Sequence, residues 1–142
     1  MSFKQPEQPE WYLDYQLGGL TVAEALRAHG LIVHIHRDYF APQATDEEWL
    51  TEVGQRGWIV LTKDRMIQRR TLEREALIRA NVRAFVLVAK QTNGPENAQI
   101  LIKAHSAMIR HIEQHPAPFI VTVYRDGSLK AVDLAKLRKT KH

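Results

Sequence analysis

Residues 44–65 combine acidic and apolar side chains in an order that could support chemistry. The segment reads Ala-Thr-Asp-Glu-Glu-Trp-Leu-Thr-Glu-Val-Gly-Gln-Arg-Gly-Trp-Ile-Val-Leu-Thr-Lys-Asp-Arg. This pattern predicts an acidic helix start, a helix that stops at Gly57, and a buried strand that ends just before Asp64. Ligands of open α/β sheets bind at the carboxyl ends of the strands. Asp46 and Asp64 are therefore predicted to lie at one end of a sheet.

A third acid, Asp14, ends the aromatic strand predicted for residues 10–14. Because parallel strands end at the same edge, Asp14 and Asp64 are expected to converge, and the helix start places Asp46 at that edge too. Three convergent carboxylates repel one another unless a cation neutralises them, and oxygen ligands favour Mg²⁺ or Mn²⁺ over zinc. The alternative is that Asp46 only caps its helix and Asp14 only opens a turn.

The elements that must position these acids alternate between strand and helix. A Thr21–Glu24 capping box predicts the first helix, and Thr45 or Asp46 is expected to cap the second. A β-α-β-α order predicts an α/β fold with three layers, α/β/α, around a mainly parallel sheet. A C-terminal β-hairpin follows. The predicted strands and helices are residues 10–14, 31–36, 58–61, 83–89, 119–124 and 129–132, and 21–29, 45–56, 71–80 and 94–115.

Composition sets outer limits on the function. The chain has 142 residues, 44% hydrophobic and 25% charged, without cysteine, so thiolate metal sites and disulfides are excluded. We expect a flexible lead over residues 1–10, one domain over 11–135 and a basic tail over 136–142. No apolar run is long enough to span a membrane, and we expect a cytoplasmic protein. The net charge of +4 suits a polyanionic partner, or simply a solvated surface.

The histidines are weaker candidates for chemistry. His34 and His36 alternate along a predicted strand, where partly buried polar residues are more common than metal ligands. His111 and His115 have the i, i+4 spacing of zinc ligands but lack the adjacent glutamate of a zincin. With His105 they are interpreted as surface residues. No glycine-rich phosphate loop and no serine nucleophile motif is present.

The acidic motifs together resemble the PIN-domain nucleases, which include the VapC-type toxins of bacterial toxin–antitoxin pairs. In that family an Asp ends the first strand, and another opens a helix before an apolar strand that closes on Thr-Arg-Asp or Thr-Asn-Asp. Asp14, Asp46 and Asp64 occupy these positions, and Lys63 replaces the Arg or Asn. The resemblance covers about residues 11–90. It is closest to short PIN-like proteins with His-Arg-Asp-x-Phe after the second strand, as at residues 36–40 here.

The chain departs from this family at the fourth acid. Full-length PIN domains carry it, usually as Glu, on a helix between the first and third acids. This chain has no helical room for it there, and only Glu24, Asp38, Glu47 or Glu48 could substitute. Asp38 is chosen as the supplementary metal ligand, with Glu47 as the other option. A weakened metal site or lost activity remains open.

The resemblance implies a metal-dependent endoribonuclease that hydrolyses RNA phosphodiesters with Mg²⁺ or Mn²⁺. Asp14, Asp46 and Asp64 would be the catalytic metal ligands. The expected partners are RNA, a cognate antitoxin protein and, as an open option, a second copy in a homodimer; a membrane is not expected. The basic residues expected to bind the phosphate backbone are Lys63, Arg65, Arg69 and Arg70.

Two other functions remain in competition with this one. The same acidic edge and basic flank could belong to a non-catalytic PIN-like module that binds nucleic acid or protein. A phosphatase-like metal hydrolase acting on small substrates would share the metal chemistry.

Overall fold

Strands and helices alternate along the chain in the computed structural model, which describes residues 8–64 and 71–134. The predicted lead is described only from residue 8, with Glu10 already in the first strand. The predicted basic tail, residues 136–142, lies outside the described residues. The strands are β1 (Glu10–Leu13), β2 (Ile32–Ile35), β3 (Ile59–Thr62), β4 (Arg83–Val88), β5 (Phe119–Tyr124) and β6 (Leu129–Ala131). The helices are α1 (Gly19–Ala28), α2 (Asp46–Arg56), α3 (Thr71–Arg79) and α4 (Gly94–Gln114), with 3-10 turns at Tyr15–Leu17 and His36–Asp38.

The strands form one sheet in the order β2-β1-β3-β4-β5-β6. All neighbours from β2 to β5 are parallel, and only β6 runs antiparallel, as the second strand of a hairpin with β5. The predicted mainly parallel sheet with a C-terminal hairpin is therefore confirmed. The carboxyl ends of β1, β2 and β3 lie side by side, because β1 is between the other two.

Helices cover both faces of the sheet, which gives the predicted three layers. Side chains alternate along β1, so that Trp11 and Leu13 face one apolar core and Tyr12 faces the other. Helices α1 and α4 pack together over the first core, and α2 and α3 pack together over the second. No helix in the described ranges is both long enough and apolar enough to cross a membrane.

Local sequence signals set the bounds of α2. The Thr45 hydroxyl accepts a hydrogen bond from the Glu48 amide, and the Glu48 carboxylate accepts one from the Thr45 amide. The capping box is therefore complete. At the other end Gly57 takes the left-handed conformation, with φ of 73°, in which glycine is favoured. Thr45, not Asp46, is therefore the cap, which leaves the Asp46 carboxylate available for other contacts.

The first helix begins earlier than the sequence predicts. It starts at Gly19, so Thr21 lies inside the helix and the predicted Thr21–Glu24 capping box is wrong. Gly18 is the N-cap with φ of 123°, and a Cβ there would lie 2.7 Å from Val22 Cγ2. Glycine thus lets the chain turn straight from the 3-10 turn into the helix.

Candidate functional site

The carboxyl-terminal edge of the sheet gathers the polar residues of interest. Asp14 follows β1 directly, His36 follows β2, and Asp64 lies two residues beyond the end of β3 at Thr62. Helix α2 runs from this edge back to the start of β3, so Asp46, its first residue, also lies at this level. We call this edge, with Asp14, His36, Asp46, Thr62 and Asp64, the acidic rim.

Asp14 is buried at the rim, with only 4% of its surface exposed. Its amide donates to the carbonyl of Leu61 at 3.0 Å, which extends the pairing of β1 with β3 by one residue. Its carboxylate Oδ2 accepts a hydrogen bond from the Thr62 hydroxyl at 2.6 Å. The position and orientation of this carboxylate are therefore fixed by the neighbouring strand.

Thr62 joins the two strand-end acids. While its hydroxyl donates to Asp14, the same Oγ1 accepts from the backbone amide of Asp64 at 2.9 Å. Thr62 is itself fully buried. One threonine therefore orients the first acid and holds the chain that carries the second.

Burial is the main cause that raises the pKa of the Asp14 carboxyl above its usual range. The hydrogen bond from Thr62 lowers this pKa, the like charge of Asp64 raises it, and the charge of His36 lowers it. Asp14 and Asp64 are thus close enough to repel each other at the rim. A cation between them would relieve this repulsion.

Asp46 also lies at the rim, but its carboxylate is hydrogen-bonded to a tryptophan and not to the other acids. Its Oδ1 accepts from the Trp49 indole N–H at 3.0 Å, and it is half-buried in the first turn of α2. The charge of Asp46 raises the pKa of Tyr12, whereas the charge of Asp64 raises the pKa of Asp14. The structure therefore brings Asp14 and Asp64 together and gives Asp46 a structural partner of its own.

The supplementary acids do not complete a metal-binding group. Asp38 is exposed at the end of its 3-10 turn, and Glu24 is exposed on α1. Glu47 is also exposed, and its carboxylate Oε2 lies 3.6 Å from the guanidinium Nη2 of Arg79. Glu48 is used in the capping box. Across residues 8–64 and 71–134, no three His, Asp or Glu side chains are grouped so that they could hold a metal ion.

A tyrosine–histidine pair at the rim was missed by the sequence analysis. The Tyr12 hydroxyl forms a hydrogen bond with Nδ1 of His36, although Tyr12 has no exposed surface and His36 is half-buried. Burial raises the pKa of the Tyr12 phenol well above its usual range, and the charges of Asp14 and Asp46 raise it further. The available signal was the parallel placement of β1 beside β2, with His36 just past the strand end.

Aromatic rings support this pair from the α2 side. Tyr12 is nearly parallel to the rings of Trp49 and Trp58, with centroids 5.1 and 6.4 Å away. His34 stacks on Trp58 at 3.9 Å and bonds to Tyr39 and Glu10 through its two ring nitrogens. The interpretation of His34 and His36 as partly buried polar residues is confirmed, because both are half-buried.

The predicted phosphate-binding residues are described only in part. Lys63 is half-buried, and its ammonium donates to the Thr92 hydroxyl at 2.8 Å. Arg65, Arg69 and Arg70 lie outside the described residues. Arg74, which follows them in the basic segment, is only 4% exposed and so does not belong to an open basic surface.

The histidines of α4 are less exposed than expected. His105 is half-buried against Trp11 and His29, and His111 is half-buried and stacks on His115 at 3.9 Å. His115 is exposed, in agreement with the surface interpretation, whereas His105 and His111 are only partly exposed. Burial lowers the pKa of both, because the charged imidazolium is poorly solvated there.

The family of the chain follows from comparison with known proteins. A family model described as "PIN like domain" matches residues 9–89, which span the sheet from β1 to β4 and include all acids of the rim. The match covers more than half of the chain, and the chain belongs to this family. PIN-like domains are commonly nucleases. No curated protein and no solved structure matches the chain.

Proposed function

We propose that this protein is a metal-dependent endoribonuclease that hydrolyses RNA phosphodiester bonds at the acidic rim. The observation that carries the proposal is the buried Asp14 carboxylate, oriented by Thr62 and repelled by Asp64. Membership of the PIN-like family supplies the nuclease class. A carboxylate buried next to a second one has an energetic cost, which a bound cation would offset.

The residues of the rim suit a magnesium or manganese ion held by few protein ligands. Mg²⁺ is commonly bound through one or two carboxylates, with waters and substrate phosphate oxygens in its other positions. Asp14 and Asp64 would be these carboxylates, and Asp46 would contribute from α2. The bound ion would supply an activated water nucleophile and neutralise charge that develops on the phosphate. In the proposal, Lys63 and the arginines 65, 69 and 70 bind the RNA backbone.

Cleavage of a labelled single-stranded RNA oligonucleotide tests the proposal. In MgCl₂ or MnCl₂, Asp14→Asn and Asp64→Asn should each lower the rate at least about 100-fold, because even losing a group that supports a metal ligand costs 10–100-fold. Glu113→Gln is the control, since it removes one exposed negative charge at the far end of α4. Equal cleavage by wild type and both aspartate variants would refute the proposal.

A non-catalytic PIN-like binding module is the second candidate. It is favoured by one observation: the described residues contain no group of three potential metal ligands. Anomalous scattering from a crystal soaked in Mn²⁺ distinguishes the two functions. A peak between Asp14 and Asp64 supports the nuclease, whereas a rim without manganese in a protein that still binds RNA supports the module.

The biological setting proposed for the nuclease is that of a toxin paired with an antitoxin protein in the cytoplasm. The support is the resemblance of the acidic motifs to toxins of this type. Expression in a bacterial host should arrest growth, and Asp64→Asn should relieve the arrest. A gene for a small DNA-binding protein directly adjacent would agree with this setting. Growth unaffected by the active wild-type enzyme would contradict it.

A further inference from the structure

The burial of Tyr12 determines the direction of its hydrogen bond with His36. The Tyr12 hydroxyl is completely buried, and its one hydrogen bond within residues 8–64 and 71–134 is to Nδ1 of His36. A phenol carries its proton at neutral pH and needs an acceptor for it when it is buried. His36 Nδ1 is the acceptor at hand, so the hydroxyl donates to it.

This direction of the hydrogen bond determines the tautomer of His36. A neutral imidazole has one protonated nitrogen and one acceptor nitrogen, and the bond made by one decides the state of the other. Because Nδ1 accepts from Tyr12, the ring proton is on Nε2. The opposite tautomer would leave the buried Tyr12 proton without an acceptor in the described structure.

The Nε2–H group is therefore a hydrogen-bond donor at the rim, and it has no metal-binding lone pair. It makes no hydrogen bond within the described part of the chain, while Tyr15 and Phe40 contact the ring at centroid distances of 6.0 and 5.3 Å. His36 also interacts electrostatically with Asp14. The ring that carries this unused donor is thus within electrostatic range of the Asp14 carboxylate.

We propose that His36 binds the substrate by donating a hydrogen bond from Nε2–H to a phosphate oxygen of the phosphodiester, and that Tyr12 is the positioning residue that fixes this tautomer. The inference rests on the proposed nuclease function, since it uses the same rim. The carboxylates repel a phosphate, so binding it there requires donors as well as a cation. His36 provides such a donor without adding a ligand to the metal.

Replacing His36 by two different amides separates its two nitrogens. Asparagine places its amide near the Nδ1 position, and glutamine places its amide near the Nε2 position. His36→Asn should lower kcat/KM for RNA cleavage about 10- to 100-fold, whereas His36→Gln should retain more activity because it restores a donor. His115→Asn, an exposed histidine at the opposite edge of the sheet, should leave cleavage unchanged.

Nitrogen NMR of ¹⁵N-histidine-labelled protein tests the tautomer independently of activity. Wild type should show a protonated Nε2 and an acceptor Nδ1 for His36, and Tyr12→Phe should shift the ring towards a mixture of tautomers. Tyr12→Phe should also lower kcat while the His34 signals keep their tautomer. A wild-type ring protonated on Nδ1, or equal kcat/KM for wild type and His36→Asn, would overturn the inference.

A third measurement separates failure of the inference from failure of the nuclease function. If wild type does not cleave RNA, binding of the same oligonucleotide replaces the rate as the readout. The His36 Nε2–H resonance should then shift on titration with the oligonucleotide, and His36→Asn should weaken binding several-fold. Unchanged affinity and an unshifted resonance would reject His36 as a phosphate donor, whatever the catalytic outcome.

Discussion

At the scale of single residues, one hydroxyl organises the acidic rim. The Thr62 hydroxyl donates a hydrogen bond to the Asp14 carboxylate and accepts one from the Asp64 amide, so both acids depend on a group that carries no charge. The residue types of the acids were readable from the sequence, because each follows or precedes a recognisable element. The Thr62 bridge was not, because it depends on the register between β1 and β3.

Thr62→Val should therefore damage the rim without removing an acid. Valine keeps the shape of the side chain but removes the hydroxyl that bonds to both the Asp14 carboxylate and the Asp64 amide. We expect a loss of about 1–3 kcal/mol in unfolding free energy, and Mn²⁺ affinity about 10- to 100-fold weaker. Urea denaturation and calorimetric titration measure the two effects.

Thr122→Val is the matched control for that substitution. Thr122 is also buried in a strand, but its hydroxyl holds neither acid. Its replacement should leave Mn²⁺ affinity unchanged, and Thr62→Ser should restore most of the binding lost in Thr62→Val. If the two valine variants bind Mn²⁺ equally well, Thr62 does not position the site.

The raised pKa of Asp14 predicts how stability depends on pH in the absence of metal. Because burial, and then the charge of Asp64, favour the protonated form, the folded state binds this proton more tightly than the unfolded chain. The resulting stability is fully present below the unfolded pKa and is lost as pH rises through the folded pKa. In EDTA, the melting temperature of wild type should therefore fall relative to Asp14→Asn as pH rises.

Asp126 provides a comparison of opposite sign. Hydrogen bonds from Ser128 lower the pKa of this exposed carboxyl, so its contribution is present above the unfolded pKa and is lost as pH falls. Asp126→Asn should therefore cost stability mainly at neutral pH.

Parallel melting curves for wild type and Asp14→Asn at every pH would contradict the interpretation of Asp14.

At the scale of elements, the sequence predicted correctly which segments are helices and strands, but it did not predict where α1 begins. Threonine capping and a terminal glycine set both ends of α2, and both are local signals. The start of α1 depends on Gly18 approaching Val22 and Gly94, which is a tertiary contact that capping patterns do not report. Local rules therefore succeed where the cap is made within its own segment.

The crossing of α2 and α3 gives a sharp test at this scale. A Cβ added to Gly54 would lie 2.1 Å from the carbonyl oxygen of Ala80, so the two helices approach too closely for any side chain. Alanine normally stabilises a helix interior by about 1 kcal/mol over glycine. Gly54→Ala should instead destabilise the protein, by about 1–3 kcal/mol in chemical denaturation.

Gly94→Ala serves as the comparison for Gly54→Ala. Its added Cβ would meet Val22 Cγ2 at 3.4 Å, an ordinary contact, so the variant should be close to wild type in stability. Were Gly54→Ala to behave like Gly94→Ala, the close approach of the two helices would not exist in solution.

At the scale of the whole molecule, two apolar cores share one sheet. Leu26 of α1 and Leu50 of α2 are both fully buried, on opposite faces. The predicted order of three layers, α/β/α, implied an apolar core on each face of the sheet. It could not predict that the second core would surround a buried tyrosine whose hydroxyl reaches His36.

Both faces should unfold together, because every strand from β1 to β5 contributes side chains to at least one core and the sheet connects them. Leu26→Ala and Leu50→Ala should each cost about 2–5 kcal/mol while keeping a single transition. Tryptophan fluorescence and far-UV circular dichroism should coincide, as Trp11 reports on one core and Trp49 on the other. Separate transitions in Leu50→Ala would indicate that the two layers unfold independently.

The position of β1 between β2 and β3 has a consequence for the order of folding. Strand β1 is paired on both sides, with Trp11 opposite Val33 in β2 and opposite Ile59 in β3. Its second pairing closes a long loop, and such non-local contacts slow folding. The chain must therefore be synthesised through β3 before β1 is sheltered on both edges. Ile59→Val should slow refolding more than a matched Ile→Val change at Ile120 if this closure limits the rate, and stopped-flow fluorescence would measure it.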